Sequence, residues 1–179
     1  MSNLRLINQT TASSVSSVNI TDVFTSDFDI YKIEIEADDY NANSILTLRL
    51  INSSGSVVTA TDYDNAVLYL RTDSSYNELK STTDNVLFER VLGFFNYGGG
   101  SRQGGAGIIY IFNPTNTSSY TFALAQSEND HSTGKSGGVK GLGVLKTFDN
   151  ITGFQLLQDA YSATYGEIKA KVYGLRVDT

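Results

Sequence analysis

The sequence predicts an all-β protein, an antiparallel β-sandwich with at most one or two short helical turns. Three observations point there. Short runs that alternate apolar and polar residues recur roughly every ten to fifteen positions, with turn residues between them and no long helical period. Charged residues make up only 18% of the chain. That is below the usual quarter, and Ser, Thr, Asn and Gly take their place, as in turn-rich β proteins. The stretch from Gly107 to Leu124, GIIYIFNPTNTSSYTFAL, reads as a β-hairpin. Its first arm is apolar on both sides, which marks it as the strand around which the others pack. Pro114, the only proline, fixes φ and lacks a donor, so it belongs in the connecting turn of about six residues.

Taken in order, Leu4, Leu6 and Asn8 alternate with Arg5 and Ile7 as a first short strand. Thr10 to Ser17 reads as a Ser/Thr-rich link, and Val18 to Ile20 as a second strand. Phe28 to Ala37 has the cleanest alternation, with Tyr31, Ile33 and Ile35 on one side and Lys32, Glu34 and Glu36 on the other. That is a strand with one dry and one wet face. Asp38 to Asn41 reads as a turn, and Ser44 to Ile51 as a strand with Leu46, Leu48 and Leu50 inward, closed by Asn52-Ser53-Ser54-Gly55. Val57 to Thr61 fits a short strand. Ala66 to Lys80 is ambiguous between strand and helical turn. Val86 to Phe95 is an apolar strand before the glycine loop 97–105. A second glycine cluster, Gly134 to Gly143, reads as a turn before the strand Val144 to Phe148. Ile151 to Leu157 and Glu167 to Val177 read as a final pair of strands. The expected inward set is Tyr31, Ile33, Ile35, Leu46, Leu48, Ile109, Ile111, Phe122, Phe154, Leu156, Ile168 and Val172.

The 179 residues fit one domain, 1–179, large enough for a full core. Cysteine is absent, which excludes disulfides, thiolate metal sites and cysteine nucleophiles. A net charge of −6 argues against nucleic acid as a partner. No apolar run approaches a membrane span, and no signal-peptide pattern opens the chain, so a protein made soluble is expected.

Motifs for chemistry are sparse. His131 is the only histidine and reads as a solvated loop residue, with no second histidine for a metal and no triad to join. The acidic pairs Asp38-Asp39, Asp62/Asp64 and Glu128/Asp130 match no calcium-loop spacing and read as turn residues. Neither glycine cluster ends in Gly-Lys-Ser/Thr or precedes a helix, so neither reads as a phosphate loop. No catalytic, cofactor-binding or metal site is expected. Among eleven tyrosines, Tyr40, Tyr63, Tyr76, Tyr97 and Tyr161 are the expected exposed ones. Tyr63 with Asp62, Asp64 and Asn65 would suit a glycan contact, a ring beside hydrogen-bonding acceptors.

The order of segments is similar to a known group. LRLINQTTASSVSSVNI, then FDIYKIEIE, IIYIFNPTNTSSYTFAL, ITGFQLL and a closing GEIKAKVYGLRVD resemble small β-sandwich virion proteins of tailed bacteriophages, especially those of marine bacteria and cyanobacteria. Ile151 to Phe154, Gly166 to Ile168 and Val172 to Leu175 carry the ending. The final strand departs from the group's pattern by inserting Lys-Ala-Lys before Val172. The resemblance implies a jelly-roll-like sandwich exposed on a phage particle, made in the host cytoplasm and located in the virion.

The expected function is therefore a non-enzymatic virion structural protein, a capsid decoration, cement or knob protein. The alternative is a receptor-binding tail fibre or tip protein that recognises host surface glycan. Leu92, Phe94 and Phe95, followed by Tyr97 and Arg102 in the glycine loop, mark the expected interface with other virion proteins. A homo-oligomer is expected, a trimer first, or an ordered contact with a capsid protein.

Overall fold

Every regular element is a β-strand in the computed structural model, which describes residues 3–40, 44–72, 76–94, 104–132, 135–158 and 165–176. The strands are β1 (Leu4–Val15), β2 (Ser17–Ile20), β3 (Ile30–Tyr40), β4 (Ser44–Asn52), β5 (Tyr63–Arg71) and β6 (Asn77–Asp84). They continue as β7 (Phe88–Phe94), β8 (Gly105–Phe112), β9 (Thr121–Ser132), β10 (Lys135–Leu145), β11 (Ile151–Gln158) and β12 (Tyr165–Leu175). An eight-stranded sheet runs β1-β12-β3-β8-β9-β10-β5-β6, and a four-stranded sheet runs β2-β11-β4-β7. All pairings are antiparallel. The result is the expected jelly-roll-like β-sandwich.

The core lies between the sheets and follows the period of two. From the large sheet come Tyr31, Ile33, Ile35, Ile109, Ile111, Ile168 and Val172; from the small sheet come Leu46, Leu48, Leu50, Phe154 and Leu156, all buried. Burial of each such side chain contributes about 1.5–3 kcal/mol. Tyr31 ties the 21–29 connection to this core. Its hydroxyl donates to Thr25 O and accepts from Thr25 N, both at 2.7 Å, while its ring meets Phe24 edge-on at 4.8 Å. At the far end of β4, Asn52 Oδ1 accepts from the Ser54 and Ser56 amides, and Gly55 takes a φ of 78°. This is the tight turn that the Asn-Ser-Ser-Gly run predicts.

Several elements differ from the sequence reading. Thr10 to Ser17 is no link. β1 extends through Val15, held by a register with β12 that runs from Leu4↔Leu175 to Val15↔Tyr165. Asp38 to Tyr40 continue β3 instead of turning, because β12 pairs with them as far as Tyr40. The ambiguous 66–80 segment holds parts of strands β5 and β6, and no helix occurs among the described residues. Val57 makes a single bridge to Ile51, not a strand. The two closing segments do not pair together: β11 lies between β2 and β4, and β12 between β1 and β3.

The glycine cluster 134–143 is the largest correction, since its described part forms β10, a strand inside the large sheet. Its inward glycines answer a packing demand. A Cβ on Gly143 would strike the Leu87 carbonyl oxygen, and one on Gly141 would come within 3.1 Å of Val67 Cγ2. Leu87 and Phe88, both fully buried, fill the space a larger side chain would need. Glycine here permits close approach of another segment.

Candidate functional site

The inner face of the large sheet is covered by the small sheet, but its outer face is open. Strand alternation and the strand registers set out that face in rows. One row runs Tyr173, Lys32, Tyr110, Leu124, Leu142. The row on one side runs Lys171, Glu34, Ile108, Gln126, Lys140, and the row on the other Leu175, Ile30, Phe112, Phe122, Val144. Two zones of different character result.

The first zone is apolar. Leu124 and Leu142 are half exposed (50% and 49%), Phe122 is 42% exposed and Ile108 38%. It continues past the start of β9 to Tyr120, whose ring stacks on Phe148 at 5.2 Å, with Phe148 59% exposed. Here the structure overturns the inward assignment of Phe122. Phe122 pairs with Phe112, so the two share the outer face. The residues of β9 that enter the core are Thr121, Ala123 and Ala125. Over residues 121–126, β9 thus places its small residues inside and its large ones outside.

The second zone is a groove of about 660 Å³ across β3, β8, β9 and β10. Ala106 and the backbone of Gly107 and Gly141 give it a low floor. Glu36 and Glu128 stand on either side of Ala106, each its register partner, so their backbones are two strand spacings apart, about 10 Å. Ile108, Tyr110 and Leu124 line one end, with Gln126 and Lys140 beside them. Glu34 is held in place: Lys32 Nζ donates to its Oε1 at 2.7 Å, and the Tyr173 hydroxyl donates to its Oε2 at 3.1 Å. The Lys32 hydrogen bond, the largest influence, holds the Glu34 carboxyl below its ordinary range, and Glu34 in turn raises Lys32. Nothing in the sequence singled out this groove, because it depends on which strand lies beside which.

The glycan contact expected at 62–65 does not form. Tyr63 is fully buried, its hydroxyl donating to Val58 O and accepting from Leu50 N, both at 3.1 Å. Asn65 is also buried, its Nδ2 donating to Asp84 Oδ2 at 2.8 Å and to Val86 O at 3.2 Å. Asp64 lies on the opposite face, paired with Lys146 Nζ at 2.8 Å, and Asp62 precedes the strand. These residues alternate along β5 and cannot converge on one ligand. Tyr76 is exposed at 68% as expected, while Tyr97 and Tyr161 lie outside the described residues.

Of the expected interface residues, Leu92 and Phe94 are placed in β7 opposite Leu46 and Ser44, and their side chains lie outside what the structure describes. Phe95, Tyr97 and Arg102 lie wholly outside the described residues. His131 belongs to the strand β9, not to a loop.

No family model matches the chain. No curated protein matches it either. Among solved structures, it is similar to a fructosyltransferase from A. japonicus at 8% identity and a TM-score of 0.31, covering 98% of this chain and 26% of that one. It is also similar to congerin II with lactose and MES, at 9% identity and 0.23, covering 83% and 99%. A third is the botulinum neurotoxin serotype G binding domain, at 8% and 0.28, covering 96% and 44%. The chain spans about a quarter of the length of the fructosyltransferase. At these scores nothing about function follows.

Proposed function

We propose that this protein is a non-enzymatic structural component of a bacteriophage particle, a capsid decoration, cement or knob protein that packs against neighbouring subunits through the outer face of its large sheet. The observation that carries the assembly part is the inverted strand β9, with alanines in the core and Phe122 and Leu124 turned out beside Leu142. A contiguous exposed apolar strip rimmed by polar residues is the kind of surface that marks an interaction site. The aromatic pair Tyr120–Phe148 extends the strip with the residue types that enrich interface cores. The phage assignment rests on the order of sequence segments, from LRLINQTTASSV to VYGLRVD. An acidic chain rich in Ser, Thr and Asn suits a permanently solvated particle surface.

Identical small virion domains meet around closed symmetry axes, and a trimer is the expected assembly. Mass measurement in solution tests it together with Leu142→Asp and Phe122→Ser. Both residues are about half exposed, so the variants remain folded while the oligomer dissociates. A monomeric wild type, or variants that keep the full oligomer mass, overturns this interface. Mass spectrometry of purified particles tests the virion assignment, and absence of the chain in stoichiometric amount overturns it.

A further inference from the structure

We infer that the groove between Glu36 and Glu128 on the outer face is a binding site for a neutral oligosaccharide. Its volume of about 660 Å³ falls within the range of small-molecule sites. The lining selects the class of ligand. β3, β8, β9 and β10 are each hydrogen-bonded on both sides, so the groove offers no free strand edge to an extended peptide. Recognition must come from side chains. Carboxylates accept hydrogen bonds but donate none, so Glu36 and Glu128 require a ligand rich in O–H donors. Gln126 and Lys140 add donors for its oxygens, while Tyr110 and Leu124 supply an apolar end for the C–H face of a ring. A pyranose combines those features, with hydroxyls around its rim and apolar faces. With Glu34 paired to Lys32, the lining sets Glu36 and Glu128 against Lys140, which disfavours sulfated, phosphorylated or sialylated ligands.

The groove shares Ile108 and Leu124 with the apolar strip, but Leu142 and Phe122 are not in its lining, so the two variants that test assembly leave it intact. Sugar binding by a dissociated variant and assembly without sugar binding are thus separate results.

Titration calorimetry of the wild-type protein with cellohexaose, laminarihexaose and N-acetylchitohexaose tests the inference, with spermidine as a cationic control. At least one of the three sugars should bind with a Kd between about 10 μM and 1 mM. The Glu36→Gln/Glu128→Gln double variant should weaken that binding at least about tenfold. Ala106→Phe should abolish it by filling the floor. All three positions are exposed, so circular dichroism should stay that of the wild type. The site is overturned if none of the three sugars binds, or if binding survives both variants. It is equally overturned if only spermidine binds and added salt removes that binding, the signature of a cation site.

Discussion

The Tyr63 hydroxyl satisfies two backbone groups inside the core, the Leu50 amide and the Val58 carbonyl. Tyr63→Phe leaves both buried and unpaired, and should destabilise the fold by about 1–3 kcal/mol in urea or thermal denaturation. The same burial pushes the tyrosine ionisation well above its ordinary value. A group whose folded pKa is raised contributes stability in full below the unfolded value, about 10 for tyrosine, and that stability is lost as pH climbs beyond it. The difference in stability between wild type and Tyr63→Phe should therefore narrow above pH about 10, measurable by denaturation at a series of pH values. In the sequence Tyr63 looked like an exposed ring between acids, since local composition does not reveal where β5 begins. Gly143 misled in the same way. Its identity reflects the Leu87 carbonyl above it, a contact between segments far apart in the chain. Gly143→Val should cost about 1–3 kcal/mol through overpacking.

Strand β8 separates inside from outside with the least ambiguity. Ile109 is fully buried and Ile108 is 38% exposed, one residue apart and chemically identical. Ile109→Ala should cost about 2–5 kcal/mol and Ile108→Ala within about 0.5 kcal/mol, read from denaturant midpoints at constant m. Alternation of this kind made β3, β4, β8, β11 and the core positions on them legible in the sequence, but not the core residues Tyr63, Val67, Tyr69, Leu87 and Phe88. It failed on β9, where the inner face is crowded and only Thr121, Ala123 and Ala125 fit. Apolar size is a guide to burial only when the far side has room. β10 was illegible for the same steric reason. The groove was illegible for another: Glu36, Ala106 and Glu128 meet only through the register β3-β8-β9, which no single segment encodes.

At the scale of the whole molecule, the chain's opening segment closes both sheets. β1 and β2 follow one another with only Ser16 between them, yet β1 edges the eight-stranded sheet and β2 the four-stranded one. Their partners, β12 and β11, are the last strands of the chain, and Arg176 N donates to Asn3 O at 2.9 Å. A circular permutant that joins residue 176 to residue 3 by a short linker and opens the 113–120 loop should keep the wild-type circular dichroism spectrum. The pairing also has a consequence in time. β1 and β2 have no partners until β12 and β11 have been made, so the small sheet cannot be completed before residue 158 has been made, nor the large one before residue 175. Closing β1 onto β12 incurs the entropy of a long loop, which places refolding in the millisecond-to-second range of non-local β proteins. During that wait β1, a twelve-residue strand with Arg5 as its only charge, is an unpaired edge in search of any neighbour. The permutant, in which β12 leads directly into β1, should refold faster than the natural order of strands in stopped-flow fluorescence.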